Sequence, residues 1–347
     1  MKISKLIFIN ILITIFFLLI VEMLIATFYF YKYNSMSYFS ASSWLTTKIA
    51  NEIDRSIALK IAGKRVLIDI DQVLFDPKNT NEKNFSNFLL NSYENHFQKF
   101  YDLVNEHNLN LVVLYIPNSN SNKINKNYDN FFKDVANKNK INYISMYELL
   151  NIKREDIFLV PYNGHLTRFT NNQIARKINE YIKIKNINKQ KSFICEDIKG
   201  KFQPNKSQLY LTIPEGPYYL ITDEYGFRNT QIESYNKNFP NIFIIGDSFT
   251  FGPYMSFHDS YPGALNRNLK DWNVINGGVS SFSIRSEYNL LKDNIECLSP
   301  SLIVLQVSNN DIYGMTNKQY NEYNYKSEVL QLTNEEIEFY KYLESKN

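Results

Sequence analysis

Residues that could carry out nucleophilic chemistry follow a short apolar run near the middle of the second half of the chain. The stretch NIFIIGDSFTFG, at 241–252, predicts a buried strand that ends at Gly246 and Asp247 and is followed by Ser248. A serine at the carboxyl end of a buried strand is where α/β enzymes place a nucleophile. A serine hydroxyl is a weak nucleophile at neutral pH and normally needs a histidine base. The chain holds histidines at positions 96, 107, 165 and 258.

Two further apolar runs end in groups that could donate hydrogen bonds to a developing oxyanion. VINGG ends at Gly278, and SLIVLQVSNND carries Asn310 directly after its apolar part. A backbone N–H and a side-chain amide of this kind must converge to about 2.7–3.1 Å from one oxygen. Because the carboxyl ends of parallel strands meet at one edge of a sheet, the three segments predict a single site.

These segments resemble three consecutive signature blocks of the SGNH/GDSL hydrolases, which act on esters and whose relatives include O-acetyltransferases of cell-envelope polysaccharides. The resemblance rests on IIGDSFTFG, VINGGVSSFS and LIVLQVSNNDI, and YGFRN resembles the segment that often precedes the first block in envelope-associated members. It implies Ser248 as the nucleophile and an oxyanion hole formed by Ser248, Gly278 and Asn310. Ser308 stands where the third block commonly has glycine.

The histidine block of this family normally follows the third block, but no histidine follows Asn310. The segment that precedes the serine block resembles this histidine block and carries His165; its sequence is FLVPYNGHLTRFTNNQIARKI. This order is similar to the circularly permuted SGNH domains of the alginate acetyltransferase type, over roughly residues 64–340. The resemblance therefore implies His165 as the base, with His258, which is expected to cap the following helix, as the alternative.

The position of the catalytic acid departs from the family pattern, because Asn163 and Tyr162 stand two and three residues before the histidine. An amide oxygen can accept the imidazole N–H, but it carries no charge to stabilise imidazolium. The site is thus a weakened triad with Asn163, a triad that borrows Asp156 or Asp247, or an inactive site.

Alternation of apolar runs and amphipathic segments predicts an α/β protein with a mostly parallel sheet. The resemblance implies a three-layer, flavodoxin-like SGNH fold in circularly permuted form. We expect one domain over 64–347, with a histidine half at 64–187, a connector at 188–240 and a serine half at 241–347. Thr170 and Gln173 predict a capping box for the helix after His165. Other predicted elements are strands at 65–75, 109–117 and 142–146, a strand pair at 216–229, and helices around 259–270, 285–295 and 333–345.

The first 34 residues predict a membrane anchor. Residues 6–31 are almost wholly apolar and follow Lys2 and Lys5. This run is long enough to cross a membrane, because about 20 apolar residues span a bilayer. Cleavage near FSAS, at 39–42, is the alternative, and residues 35–63 form a juxtamembrane segment. This orientation predicts a single-pass protein whose catalytic domain is extracytoplasmic, in the periplasm or at the cell surface. Cys195 and Cys297 then either form a disulfide or are buried thiols.

Composition excludes some partners. The net charge of +3 and the lack of a basic stripe predict no nucleic-acid binding, and the sequence indicates neither a cofactor nor a metal site. LIDIDQVLFDP resembles the first motif of haloacid-dehalogenase-type phosphatases, through Asp69 and Asp71, but Gln72 replaces the usual glycine. The favoured function is an ester hydrolase or O-acetyltransferase acting on an acylated glycan or small acyl ester. The alternative is an inactive SGNH scaffold that binds envelope glycan or organises a biosynthetic complex.

Overall fold

The computed structural model describes residues 57–313, apart from positions 62–63, 69, 79, 120–121, 161–162, 188, 190–191, 193–194, 211–216 and 231–234, together with positions 16 and 20. The predicted membrane span at 6–31 and the predicted helix at 333–345 lie outside the described residues. Within them, no helix combines the length and the apolar character that a bilayer crossing requires.

Ten strands and nine helices occur among the described residues. The strands are β1 Ile57–Ile61, β2 Lys64–Ile68, β3 Asn110–Tyr115, β4 Asn142–Ser145, β5 Ser207–Tyr210, β6 Tyr218–Thr222, β7 Arg228–Asn229, β8 Asn241–Gly246, β9 Asn273–Gly278 and β10 Leu302–Val307. The helices are α1 Ile70–Phe75, α2 Thr80–Glu106, α3 Asn122–Lys138, α4 Arg154–Ile157, α5 Arg168–Lys185, α6 Ser248–Phe251, α7 Tyr261–Asn268, α8 Ile284–Leu298 and α9 Asn310–Tyr313. Two 3₁₀ turns span Tyr147–Asn151 and Phe257–Asp259.

Eight of these strands form one mixed sheet in the order β4-β3-β10-β8-β9-β7-β6-β5. The five strands from β4 to β9 are parallel, whereas β7, β6 and β5 are antiparallel additions at one edge. We number the parallel strands β8, β9, β10, β3 and β4 as 1 to 5. Their spatial order across the sheet is then 2-1-3-4-5. That is the order of a flavodoxin-like doubly wound sheet. The last two strands of this arrangement thus come first in the chain, which is the connectivity that a circular permutation produces.

Helices cover both faces of the sheet, because each parallel strand has apolar side chains on both of its faces. On one face, side chains such as Val113, Phe243 and Leu305 pack against α2, α3 and α8. On the other face, Val112, Ile244 and neighbouring residues pack against α5 and α7. The result is a three-layer α/β/α arrangement with a mostly parallel sheet, as predicted.

Local differences from the sequence-based expectations fall at the start of the described chain and in the connector. The apolar run at 65–75 is a strand only to Ile68, where β2 pairs with β1 in a separate hairpin, and it continues as helix α1. Asp71 lies in α1 and accepts a hydrogen bond from the Tyr128 hydroxyl at 2.7 Å, so the phosphatase-like motif lacks the strand end that it needs. In the connector, β6 and β7 are the predicted strand pair at 216–229, and β5 is a further strand that extends the sheet.

A disulfide joins the connector to the serine half. Cys195 is bonded to Cys297 near the end of α8, with the Cα atoms 4.7 Å apart. The bond closes a loop of 102 residues, and in the chain-entropy account a loop of that size stabilises a fold by roughly 4–5 kcal/mol. Of the two alternatives for these cysteines, the structure has the disulfide.

Candidate active site

The turn after β8 presents Ser248 at the start of a one-turn helix. Asp247 caps α6, since its side chain accepts the N–H of Phe249 at 2.8 Å. The helix ends at Gly252, whose φ of 72° lies in the left-handed region that favours glycine. Ser248 is partly exposed, whereas Asp247 and Phe249 are buried. The strand, the cap and the glycine together hold one accessible hydroxyl at the carboxyl edge of the sheet.

This edge is also where the strand order reverses. Ser248 follows β8 and Asn310 follows β10, the two neighbouring strands between which the sheet is wound in opposite directions. In open α/β sheets, ligands bind in the crevice that forms at such a switch point. The predicted nucleophile and one predicted oxyanion donor therefore lie on either side of this crevice.

The histidine loop is held by its own backbone pairing and by the helix that follows it. Phe158 and Leu166 form an isolated antiparallel bridge across the loop. Thr167 caps α5, and its hydroxyl accepts the N–H of Thr170 at 3.3 Å. The helix therefore begins one turn before the cap that the sequence predicts at Thr170, and His165 lies directly before this start.

His165 lies against the residues that flank the nucleophile turn. Its ring centroid is 5.6 Å from that of Phe249, the residue after Ser248, and 5.6 Å from that of Tyr254. A direct hydrogen bond between His165 and Ser248 stays a prediction. His258, the alternative base, is exposed on the 3₁₀ turn and lines a neighbouring cleft.

Asn163 occupies the position of the acid relative to the imidazole. Its side-chain oxygen accepts the backbone N–H of His165 at 3.0 Å and is in hydrogen-bond contact with Nδ1 of the same residue. Its amide nitrogen donates to the hydroxyl of Tyr254 at 3.0 Å. With Oδ1 facing Nδ1, the imidazole proton is held on Nδ1 and the lone pair is on Nε2, the nitrogen that a base requires.

The imidazole is poised as a neutral group. Burial, without a charged partner, lowers the pKa of His165 to about 4. An imidazole with such a pKa is unprotonated throughout the neutral range, so it can accept a proton. An amide at Asn163 does little to stabilise the imidazolium that would then form.

Neither aspartate that could replace Asn163 contacts the imidazole in the part of the chain that the structure describes. The backbone carbonyl of Asp156 accepts the hydroxyl of Thr167 at 2.5 Å. The Asp247 carboxylate is fully buried and accepts the Asn310 amide at 2.6 Å and the Ser308 hydroxyl at 3.3 Å. Burial raises the pKa of Asp247, against hydrogen bonds from Asn310 and the Phe249 N–H that lower it.

Gly278 lies at the end of β9, but its N–H already has an acceptor. It donates to the side-chain oxygen of Asn276 at 2.9 Å, and the Asn276 amide in turn donates to the carbonyl of Thr250 at 3.1 Å. An added Cβ at Gly278 would lie 2.3 Å from the backbone nitrogen of Phe251. The glycine therefore allows β9 to approach the nucleophile helix. To act in the oxyanion hole as predicted, the Gly278 N–H must donate to the oxyanion and to Asn276 at the same time.

Asn310 is held in place by its neighbours at the end of β10. One of its amide hydrogens is donated to Asp247, and its side-chain oxygen accepts the hydroxyl of Ser308. An asparagine amide has two hydrogens, so the second can be directed at an oxyanion. Ser308, the departure from the expected glycine, thus fixes the orientation of the Asn310 amide.

Two residues that the sequence did not indicate, Tyr254 and Arg228, hold the residues that surround the site. Tyr254 has a positive φ of 67° and contacts both Asn163 and His165. Fully buried Arg228 donates to the carbonyls of Phe251, Gly252 and Met255, on either side of Tyr254. YGFRN contains this arginine, but nothing in the segment indicates that it binds a loop more than twenty residues away.

Comparison with known proteins gives matches of structure only. No protein-family model matches the chain, and the search of curated proteins returned no match. The fold is similar to the O-acetyltransferase domain of Pseudomonas putida AlgJ, with a TM-score of 0.44 and 13% identity over 80% of this chain and 95% of that one.

Two other solved structures are also similar. Pseudomonas aeruginosa AlgX has a TM-score of 0.38 and 16% identity over 62% of this chain and 56% of that one. Bacillus cereus PatB1, solved with a sulfonyl adduct, has a TM-score of 0.38 and 10% identity over 64% and 88%. The function proposed below rests on the geometry of the site in this chain.

Proposed function

We propose that the chain is a serine-dependent acyltransferase or ester hydrolase that acts on acyl esters, acetyl esters above all, of a cell-envelope glycan. One observation carries the proposal. His165 packs against the residue after Ser248 while Asn163 faces Nδ1 of the same imidazole, which supports a base and its orienting group beside the turn that carries the serine.

In the first half of the reaction, Ser248 is acylated. Nε2 of His165 accepts the hydroxyl proton as Oγ bonds to the acyl carbon of the donor ester. The resulting oxyanion is stabilised by hydrogen bonds from Asn310, from the Ser248 N–H and from Gly278. His165 then returns the proton to the departing alkoxide, which leaves as an alcohol, and an acyl-serine remains.

In the second half, an acceptor hydroxyl replaces the departed alcohol. Nε2 takes the proton of this hydroxyl as its oxygen bonds to the acyl carbon, and the Oγ bond breaks with return of the proton to Ser248. If the acceptor is water, the enzyme is an esterase. If it is a glycan hydroxyl, the enzyme is an O-acyltransferase, because both reactions pass through the same acyl-serine.

A catalytically inactive glycan-binding scaffold is the second candidate. It is favoured by the amide at Asn163 and by the low pKa of His165, since no carboxylate stabilises the protonated imidazole. Against it stands the organised serine edge, in which Ser308 and Asp247 hold the Asn310 amide.

We further propose that the domain works outside the cytoplasm, tethered by the apolar segment at 6–31. The disulfide between Cys195 and Cys297 supports an oxidising compartment. The lysines that precede the apolar segment support a cytoplasmic amino terminus.

Covalent labelling of the full-length chain tests the proposal. A fluorophosphonate probe should label the wild type and a Ser207→Ala control, which alters an exposed serine on β5, but not Ser248→Ala. A rapid quench after addition of p-nitrophenyl acetate should show an acetyl adduct on Ser248 by peptide mass spectrometry. Absence of both adducts from the wild type would favour the scaffold, and labelling that persists in Ser248→Ala would refute the assignment of the nucleophile.

A further inference from the structure

A cleft of about 280 Å³ lies beside the candidate active site. Three parts of the chain line it: Arg168 at the start of α5, the β6 to β7 edge of the sheet, and residues 255–259. The histidine half, the connector and the serine half thus each contribute one wall. Its volume is close to the lower end of the roughly 300–1,000 Å³ typical of small-molecule pockets.

The cleft adjoins the candidate active site through the segment that carries Tyr254. Met255 lines the cleft, while the preceding residue, Tyr254, contacts the His165 ring and the Asn163 amide. Arg168, which also lines the cleft, is three residues after His165. The cleft is therefore lined by the residue that follows Tyr254 and by a residue one helical turn after His165.

The charges in the cleft balance one another. Arg168 and Asp259 form an ion pair, with Nε and Oδ2 3.5 Å apart, and the hydroxyl of Ser256 donates to the same carboxylate at 2.7 Å. Apart from His258, the other lining residues are uncharged. A polyanion in the cleft would be repelled by Asp259, because like charges that face each other are unfavourable. The described lining has no surplus of positive charge to offset this repulsion.

The remaining lining residues combine apolar surface with hydrogen-bonding groups. Pro217, Tyr219 and Ile221 supply the accessible apolar part, and Asn229 and Thr230 add an amide and a hydroxyl. A pyranose ring presents the same combination, with apolar C–H faces and hydroxyl groups around its rim. Few polar groups on a mainly apolar lining are what fixes the orientation of a small ligand.

We infer that this cleft binds one or two uncharged sugar units of the acyl acceptor and presents a hydroxyl to the acyl-serine. The inference rests on the proposed function and extends it, because it assigns the acceptor to neutral glycans rather than polyuronates. A sugar held beside the imidazole competes with water through its effective concentration. The cleft thus favours transfer over hydrolysis.

The test separates transfer from hydrolysis by blocking the cleft. In the full-length chain, Ser256→Trp and Thr230→Trp each place a large side chain in the cleft, from different walls. Ser207→Trp places the same indole on β5, outside the lining, and is the control. With p-nitrophenyl acetate as donor, acetate release reports hydrolysis, and mass spectrometry reports acetylation of chitotetraose or of a mannuronate tetramer.

We expect acetylation of chitotetraose to exceed that of the uronate, and to fall by about tenfold or more in both blocked variants. Hydrolysis in both blocked variants should fall much less than transfer does, and Ser207→Trp should retain both activities. Transfer that survives both blocks would overturn the inference. So would a preference for the uronate, or transfer to neither sugar from an acyl-enzyme that still hydrolyses. A wild type without a Ser248-dependent burst would instead refute the proposed function.

Discussion

Asn163→Asp tests whether the amide beside His165 limits the reaction. The side-chain oxygen of Asn163 accepts from the His165 backbone N–H at 3.0 Å and contacts Nδ1. A carboxylate in the same place keeps both of these donors. The Tyr254 hydroxyl, which now accepts from the amide at 3.0 Å, can rotate and donate to the second oxygen. The new charge would therefore have three donors and a small desolvation cost.

The pKa of His165 sets the magnitude of the expected gain. Burial lowers this pKa from 6.5 to about 4, a difference equivalent to roughly 3 kcal/mol in the stability of the imidazolium. A carboxylate that recovered only a third of this difference would lower the barrier by about 1 kcal/mol, or about fivefold in rate. In a well-studied serine protease, the reverse exchange of acid for amide costs about 10⁴ in kcat. We therefore expect kcat to rise at least about fivefold, with little change in KM.

The pH profile distinguishes this mechanism from a general gain in activity. The base must be unprotonated, so the acid limb of kcat/KM follows the pKa of His165 in the free enzyme. In the wild type, the limb should lie near pH 4. A carboxylate against Nδ1 favours the protonated imidazole and raises its pKa, so the limb of Asn163→Asp should move toward neutral pH. The assay is release of p-nitrophenol from p-nitrophenyl acetate, measured from about pH 2.5 to about pH 9 so that the points extend below the expected limb.

Asn172→Asp is the matched control. Asn172 is exposed on α5, the helix that follows the histidine loop, and its amide donates to the Arg168 carbonyl. It adds the same charge without touching the imidazole and should leave both kcat and the acid limb unchanged. A lower kcat in Asn163→Asp, together with an acid limb that does not move, would refute the reasoning. If Asp247→Ala or Asp156→Ala then removed activity from the wild type, that carboxylate would be the acid.

Three other substitutions have expected outcomes. Tyr254→Phe removes the hydroxyl that holds the Asn163 amide, so kcat for p-nitrophenyl acetate should fall about fivefold, equivalent to ~1 kcal/mol, with KM unchanged; an unchanged kcat would show that the amide is held without it. Gly278→Ala places a Cβ 2.3 Å from the Phe251 nitrogen, and should lower the unfolding free energy by roughly 1–3 kcal/mol in denaturant titrations; wild-type stability would mean that the strand end shifts freely. Burial, with Asp311 and Asp247 nearby, raises the pKa of Glu287, so its stabilising contribution is present at low pH and is lost as pH rises. Glu287→Gln should therefore have a higher Tm than the wild type at pH 8 and a smaller difference at pH 4, and an equal difference at both pH values would contradict this.

The strand ends of the serine half could be predicted from the sequence because their signals are local. Each is a continuous apolar run that ends in glycine, aspartate or asparagine, and buried parallel strands have this pattern. The contact between Asn163 and Nδ1 could also be predicted, since only Gly164 lies between Asn163 and His165 within one short loop. The strand order, with β3 and β4 at one edge, followed from the order of the blocks rather than from periodicity.

Arg228 and Tyr254 could not be predicted, because their roles depend on contacts that only the folded chain creates. An arginine in a short strand ordinarily extends into solvent, whereas Arg228 is buried because three loop carbonyls accept its hydrogen bonds. Tyr254 reaches Asn163 across 91 positions of sequence. The helix at Ile70–Phe75 was missed for a related reason, since a short apolar run does not distinguish strand from helix.

The position of β3 between β4 and β10 determines when the sheet can close. Asn110 in β3 pairs with Leu302 in β10, and its side chain bonds the Ser301 carbonyl across 191 positions. Such non-local pairing makes folding slow, because the loop entropy must be lost before the contact forms. During synthesis or export from the amino terminus, the histidine half is complete long before its partner strand emerges. Its apolar strand β3 then stays unpaired on one side, so this half is expected to depend on a holding chaperone until β10 arrives.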